Sequence, residues 1–474
     1  MGKVIVSAVL LFVSAACFAQ NGGNIICRLG FVYEISRSAN WGMGKPVVGH
    51  VVPYSSAELA GIVQGDVIEA IDGIPAASVS EGEIAQLLNL AENNEVLLTV
   101  RSLGTQERQA RVRKECKRVN VISEDQLASA FNMYSLETTA ERQFACPFKV
   151  TVTTDSVDFG NFFTYIIPPS NRDDREQVAV VNNYLDKELT RKGLTATANN
   201  PDILVQTSFF LNRNPNFKGT NRLLIDKPQI FRYDFSRNGM EAVPFLSSLT
   251  VESEAEYILQ LRIRLIDQKI VPGRILWECE ANELLDGPYR IEDYARIHVP
   301  LMCVQYPYVK FTRNIPFTVG KKSYNYTGIQ YDIDRMERIA SVDRNSPAYA
   351  AGVRAGDVIE RIGNQRMNHT AEEFSAAYKR FITQTMKYRD PKTLFTDANG
   401  FKRCMYWDTS KYAEVSDAVD EAAFISAFSY LYSFTPYMNQ AGNNVCVFRI
   451  KRGREKMDVT IRPAVRSEIT VELK

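Results

Sequence analysis

One block of sequence occurs twice in this chain, at residues 55–69 and again at residues 346–360. Ser55-Ser56-Ala57-Glu58-Leu59-Ala60-Gly61-Ile62-Val63-Gln64-Gly65-Asp66-Val67-Ile68-Glu69 is echoed by Ser346-Pro347-Ala348-Tyr349-Ala350-Ala351-Gly352-Val353-Arg354-Ala355-Gly356-Asp357-Val358-Ile359-Glu360. In both copies a small-residue turn closes on Ala-Gly, takes a short step and enters Gly-Asp-Val-Ile-x-x-Ile, a β-branched run suited to a buried strand. Self-similarity this far apart requires two copies of one folding unit, placed towards the two ends of the chain. The 474 residues leave room for a third domain between them.

Fifty-six basic and 55 acidic side chains leave a formal charge of +1. That balance lacks the positive field that nonspecific nucleic-acid binding needs, so a nucleic-acid partner is not expected. Lys3, the apolar run over residues 4–16 and Cys17-Phe18-Ala19 before Gln20 read as a signal peptide, residues 1–19, with cleavage after Ala19. A lipid anchor at Cys17 is the rival processing, although Ser14 stands where that motif carries Leu. The run is shorter than the roughly 20 residues a spanning helix needs, and no later segment is long and apolar enough. Export to the periplasm or outer envelope of a Gram-negative bacterium is expected. The cysteines after the leader, Cys27, Cys116, Cys146, Cys279, Cys303, Cys404 and Cys446, would then meet an oxidising compartment.

The first unit spans residues 27–117. Arg28-Leu29-Gly30-Phe31 opens it, and only glycine in such an apolar step lets the backbone approach a ligand closely. Phe31-Val32-Tyr33 begins a strand. Residues 83–91 read as a helix with Ile84, Leu87, Leu88 and Ala91 on one stripe, and residues 96–100 and 108–113 supply closing strands. The last unit spans residues 317–465 and starts with Tyr326-Thr327-Gly328-Ile329 in the equivalent place. Its helix over residues 372–381 carries Phe374, Ala377, Tyr378 and Phe381, and its closing strands appear only at residues 445–450 and 456–461. An aromatic-rich insertion, residues 383–443, separates them. Within it a helix capped at Ser416-Asp417 and running to about residue 432 is apolar nearly all round, and is expected to pack on its own module.

These features resemble the PDZ domain, a partly open β-barrel with helices that binds peptides. The resemblance implies a carboxylate-binding loop at Arg28, Leu29, Gly30 and Phe31, an open strand edge along Phe31, Val32 and Tyr33, and a groove wall carrying Ile84, Leu87 and Leu88. In the second copy it implies Thr327, Gly328, Ile329, Phe374 and Tyr378, with polar Thr327 in place of Leu29 weakening the carboxylate pocket. First and last strands pair in that fold, which implies a Cys27–Cys116 disulfide, and Cys404 and Cys446 are the candidate pair within the second module.

Residues 140–312 lack this pattern. A helix over residues 174–192, a short strand at Ile203-Leu204-Val205 and a hairpin built on Tyr257 to Leu265 and Ile275 to Ala281 make a central α+β domain. Asp158-Phe159, Thr164-Tyr165, Glu188-Leu189, Gly193-Leu194, Pro201-Asp202 and Leu276-Trp277-Glu278 are similar to an uncharacterised domain family of bacterial envelope lipoproteins, of the Bacteroidetes exported type. The fold class expected for the whole is therefore α+β, multidomain.

No G-x-S-x-G elbow, H-E-x-x-H, phosphate-cradling loop or dinucleotide fingerprint occurs. His50 and His298 read as strand residues and His369 as preceding a helix, and no C-x-x-C suggests a zinc site. No catalytic residue, cofactor or metal is expected. The chain reads as a peptide-binding adaptor or scaffold for envelope or secreted proteins, engaging their C-termini or extended segments by strand addition. The alternative is a peptidase, or its regulatory subunit, with an active site in the central domain.

Overall fold

The computed structural model describes residues 25–89, 94–118, 120–131, 143–169, 175–219, 229–246, 252–287, 289–394, 402–432, 434, 437 and 445–473. The expected signal peptide, Ala91 of the helix stripe and the side chains of Cys27 and Cys116 lie outside the described residues. The fold is α+β and multidomain, and divides into two compact units.

The first unit joins Arg28–Glu115 to Gln143–Val319, with Val471–Lys474. Its PDZ-like module is a sheet whose path runs Phe31–Ile35 (β1), Pro46–Val51, Val67–Ile71, Glu95–Arg101 and Arg108–Arg113, all antiparallel. Helix α1, Glu81–Asn89, sends Ile84 and Leu88 into the core. The repeated motif explains why this shape recurs. Ser55 caps the short helix Ser56–Leu59 by accepting from the Glu58 amide, and Gly61 and Gly65 take φ of +75° and +91°. Asp66, 1% exposed, accepts from the Val63 amide at 3.1 Å, and Arg108 on the last strand lies 3.3 Å from its carboxylate. That buried acid ties the turn to the closing strand.

The remainder of this unit is a mixed sheet built on the hairpin Tyr257–Asp267 and Ile275–Leu285. Its turn is held by Asp267, fully buried, which accepts from the Lys269, Ile270 and Val271 amides and from Arg274. Helix Arg175–Arg191 buries Val181, Leu185 and Leu189 and stops at Gly193, φ +102°. Residues 159–161 form a 3-10 turn, with the Asp158 side chain accepting from the Gly160 amide. His298, expected on a strand, lies inside helix Ile291–Cys303, where Tyr294, Ile297, His298 and Leu301 are all buried. Pro300, at the tenth position of that helix, obscured the 3.6-residue period.

Module 1 is fastened to this sheet domain by Arg101. Its guanidinium reaches Glu69 at 2.8 Å and Asp158 at 3.1 Å, and lies 4.9 Å from the centre of the Trp41 ring.

The second unit contains Gly320–Thr470 and, from earlier in the chain, Cys116–Arg142. Strand β2, Val121–Ser123, and helix α2, Glu124–Phe131, come from the earlier segment. They meet strand β3, Ile329–Asp332, which also pairs with Ile339–Val342. Helix α3, Ala371–Thr385, begins with a Thr370/Glu373 capping box. Strands Val358–Ile362, Cys446–Arg452 and Glu455–Ile461 complete this module. Ser346 and Asp357 repeat the roles of Ser55 and Asp66, with Arg452 2.7 Å from Asp357.

The insertion packs on its own module, placing Trp407, Val415, Phe424 and Phe428 in one core with Phe381 and Phe448. Its helix starts earlier than expected, as Tyr412–Glu421, after Asp408 caps a 3-10 turn. It breaks at Ala422, φ −88° and ψ 73°, before Ala423–Ser426. Cys404 and Cys446 are both thiols, which corrects the expected pairing. Cys404 is buried beside Arg389 and Tyr378, whereas Cys446 opens a strand near Glu124, so the two occupy different surroundings. Among the described residues, no helix is long and apolar enough to cross a membrane.

Candidate functional site

Both modules build the same loop. Gly30 adopts φ +85° and its carbonyl accepts from the Val52 amide and the Ser55 hydroxyl; a Cβ at Gly30 would collide with the Ser55 side chain. Gly328 adopts φ +89°, its carbonyl accepts from the Asp343 amide, and a Cβ there would collide with Ser346. Both positions require glycine, and the loop is pinned against the repeated helical turn in each copy.

In module 1, β1 is the terminal strand of its sheet, and among the described residues no strand pairs with its outer edge. Phe31, Tyr33 and Ile35 alternate onto the face packed against the module core, while Val32, 51% exposed, and Glu34 face solvent. Leu29 is 8% exposed beneath the loop. Of the wall residues named from sequence, Ile84 and Leu88 are core, at 1% and 4% exposure, and only Leu87 is left partly open. Phe31, Tyr33 and Leu87 are thus the partly open apolar side chains on this part of the module core, and β1 ends the sheet with an edge on which no strand lies among the described residues. Such an edge offers backbone groups to an incoming strand.

Module 2 shows what such a groove holds. Strand β2 pairs antiparallel along β3, with Ser123 opposite Gln330, Ile122 opposite Tyr331 and Val121 opposite Asp332. The next residue, Glu124, is 2% exposed and delivers its carboxylate to the loop. Oε2 accepts from the Thr327 amide at 2.8 Å and the Gly328 amide at 3.0 Å. Oε1 accepts from the Thr327 hydroxyl and, at 2.7 Å, from the Tyr430 hydroxyl of the insertion, which in turn is bonded to the Tyr331 hydroxyl. Burial pushes the Glu124 carboxyl up to about 7 against the pull of these four donors. Thr327 therefore does not weaken the pocket, as the sequence suggested; its hydroxyl adds a donor where Leu29 has none.

Helix α2 then continues over the groove wall. Phe131 packs edge-on against Phe374, Tyr378 and Phe381 at 6.1, 5.1 and 6.3 Å. Tyr378 donates to the Ala130 carbonyl and Arg389 to the Phe131 carbonyl, which satisfies the end of the helix. Thr327, Gly328, Phe374 and Tyr378 are thus brought together around a segment that the sequence reading missed. Its signal was the β-branched pair Val121-Ile122, separated by Ser123 from the acidic pair Glu124-Asp125.

Among the described residues of the central domain, three polar side chains on different elements lie buried together. Glu283, Arg232 and His298 are at most 6% exposed, with Glu283 4.0 Å from Arg232 and 3.9 Å from His298. Burial pushes Glu283 up to about 7 and His298 well below its ordinary value. These groups are enclosed with Phe148 and Tyr294 against the His298 ring rather than presented on a surface. Among the described residues no group of three or more His, Cys, Asp or Glu side chains is placed to hold a metal ion.

Family models for the PDZ domain match residues 47–102 and 338–379, and the model for a domain of unknown function (DUF4136) matches residues 150–308. The chain is 57% identical to a PDZ domain protein from Parabacteroides distasonis, with 95% of this chain and 100% of that chain covered and a TM-score of 0.76. The HtrA3 PDZ domain bound to a phage-derived ligand is 23% identical over 20% of this chain and 92% of that one, TM-score 0.18. The PelC dodecamer from Paraburkholderia phytofirmans is 9% identical over 30% of this chain and 82% of that one, TM-score 0.17. No curated protein matches the chain.

Proposed function

This chain belongs to the family of PDZ-domain proteins that the Parabacteroides distasonis relative represents, with two PDZ domains around a DUF4136 domain, and we propose that it is a non-enzymatic adaptor of the bacterial cell envelope that captures extended peptides at module 1. PDZ domains bind peptides and proteins. The observation that carries this reading is the filled groove of module 2, where a strand lies along β3 and a carboxylate meets the loop amides. Module 1 has the same loop and glycine, and an edge on which no strand lies among the described residues.

A ligand enters as a strand antiparallel to β1, exchanging backbone hydrogen bonds. Its terminal carboxylate meets amides at Leu29-Gly30-Phe31, and its last side chain rests on Leu29, Phe31 and Leu87. The apolar lining selects an apolar terminal residue. The leader-like pattern of residues 3–19 supports export, and with it an envelope or secreted partner. Presenting the chain with a library of peptides bearing free C-termini tests the reading. Selective binding that is lost in a folded Phe31→Asp variant is expected, and binding undiminished by that change would overturn it.

A further inference from the structure

Module 2 differs from module 1 in three ways that bear on what it recognises. Its loop carries a hydroxyl donor, Thr327, where module 1 has Leu29, and the insertion brings a second, Tyr430, onto the same carboxylate oxygen. A free C-terminus ends at the loop, whereas here the chain passes through Glu124 and continues as a helix of eight residues. The far end of that helix is received as well, by three aromatic rings and by Tyr378 and Arg389 on its last carbonyls. The site is therefore built for a strand, a side-chain carboxylate and a helix in succession.

We propose that module 2 is a docking site for internal, glutamate-bearing strand-to-helix segments, filled in the isolated chain by residues 121–131, and that a partner protein presenting the same chemistry exchanges with that segment. The resident segment is not the tightest occupant the groove can hold. A cavity of about 30 Å³ remains, lined by Ile122, Leu127, Phe131, Met336, Phe374 and Tyr378. One added methylene there favours a competing ligand about fourfold. Tethering works the other way. A segment held at an effective concentration of about 1 mM, and docking with a constant a hundredth of that, suppresses an outside ligand about 100-fold. Exchange thus requires either a better-fitting partner or a weakened tether. The proposal concerns module 2 alone and does not rest on peptide capture by module 1.

The test uses the full chain carrying Phe31→Asp, so that module 1 contributes nothing, and a fluorescent peptide of residues 120–132, acetylated and amidated. Fluorescence anisotropy is expected to show binding tightened at least tenfold when Glu124→Ala and Phe131→Ala vacate the groove. The gain is expected to vanish for a peptide with alanine at the glutamate position. No tightening in the folded variant, or binding only by peptides with a free terminal carboxylate, would overturn the proposal. Should the double variant unfold, Thr327→Val in the otherwise native chain serves instead. Hydrogen exchange over residues 121–131 is then expected to quicken at least tenfold while that of Val358–Ile362 holds, and unchanged exchange in the segment would equally sink the idea.

Discussion

Replacing Glu124 by alanine removes the acceptor for two backbone amides and two hydroxyls, all enclosed within the second unit. Each hydrogen bond to a charged group contributes about 1.5–3 kcal/mol net of its exchange with water, but four donors that share one carboxyl do not add independently, and removing that buried acceptor is expected to cost about 3–5 kcal/mol. Glutamine behaves differently. Its oxygen still serves the Thr327 and Gly328 amides, while its NH2 faces hydroxyls that can rotate to accept, so the loss falls to about 1–2 kcal/mol. Hydrogen exchange read by mass spectrometry resolves this locally. In the alanine variant, exchange over residues 121–131 and along β3 is expected to accelerate between about a hundredfold and a few thousandfold. Module 1 and the central domain are expected to keep native rates. Acceleration below tenfold, or an equal effect of alanine and glutamine, would refute the carboxylate as the anchor of this segment.

Three further outcomes follow from the same geometry. Against a reference value of 4.5, the buried Glu124 carboxyl at about 7 binds its proton more tightly when docked. Its contribution to docking is therefore full below pH 4.5 and lost as pH rises through 7, by at most about 3 kcal/mol. The facing groups Tyr324, Tyr326, Tyr331, Tyr430 and Cys446 all stay neutral through that range, because burial raises each of them. Exchange of the segment measured at pH 5 and pH 8 checks the sign, and Glu124→Gln abolishes the dependence. Gly30→Ala places a Cβ against Ser55 at a positive φ and is expected to cost more than about 2 kcal/mol in urea unfolding of module 1; a neutral result would mean that the loop relaxes. Arg101→Leu strips Glu69 and Asp158 of a shared partner and is expected to destabilise the first unit by about 2–4 kcal/mol, read as loss of exchange protection on both sides of the joint.

Local signals in the sequence reached the modules but not their contents. The repeated Gly-Asp-Val-Ile block located both copies, since its glycines and buried acid act within a few residues of each other, as Asp66 does with Val63. The loop glycines were legible for the same reason. Glu124 was not, because its partners lie more than 200 residues away, and nothing in a single sequence couples Val121-Ile122 to Thr327. The groove wall was half legible: periodicity identified the stripe of Ile84, Leu87 and Leu88, yet cannot distinguish a residue on the floor from one at the rim. In the insertion, apolar character all round correctly implied burial, but the break at Ala422 depends on tertiary packing that propensity does not carry. His298 was misplaced because a proline inside a helix mimics a helix boundary.

The most direct test of peptide capture by module 1 is backbone hydrogen exchange along β1 in the full chain, with and without a saturating peptide selected for its free C-terminus. Protection gained at residues 31–35 and at the Leu29-Gly30 loop, and absent in Phe31→Asp, is the expected result. Peptide binding that leaves those amides unprotected would contradict strand addition at this edge.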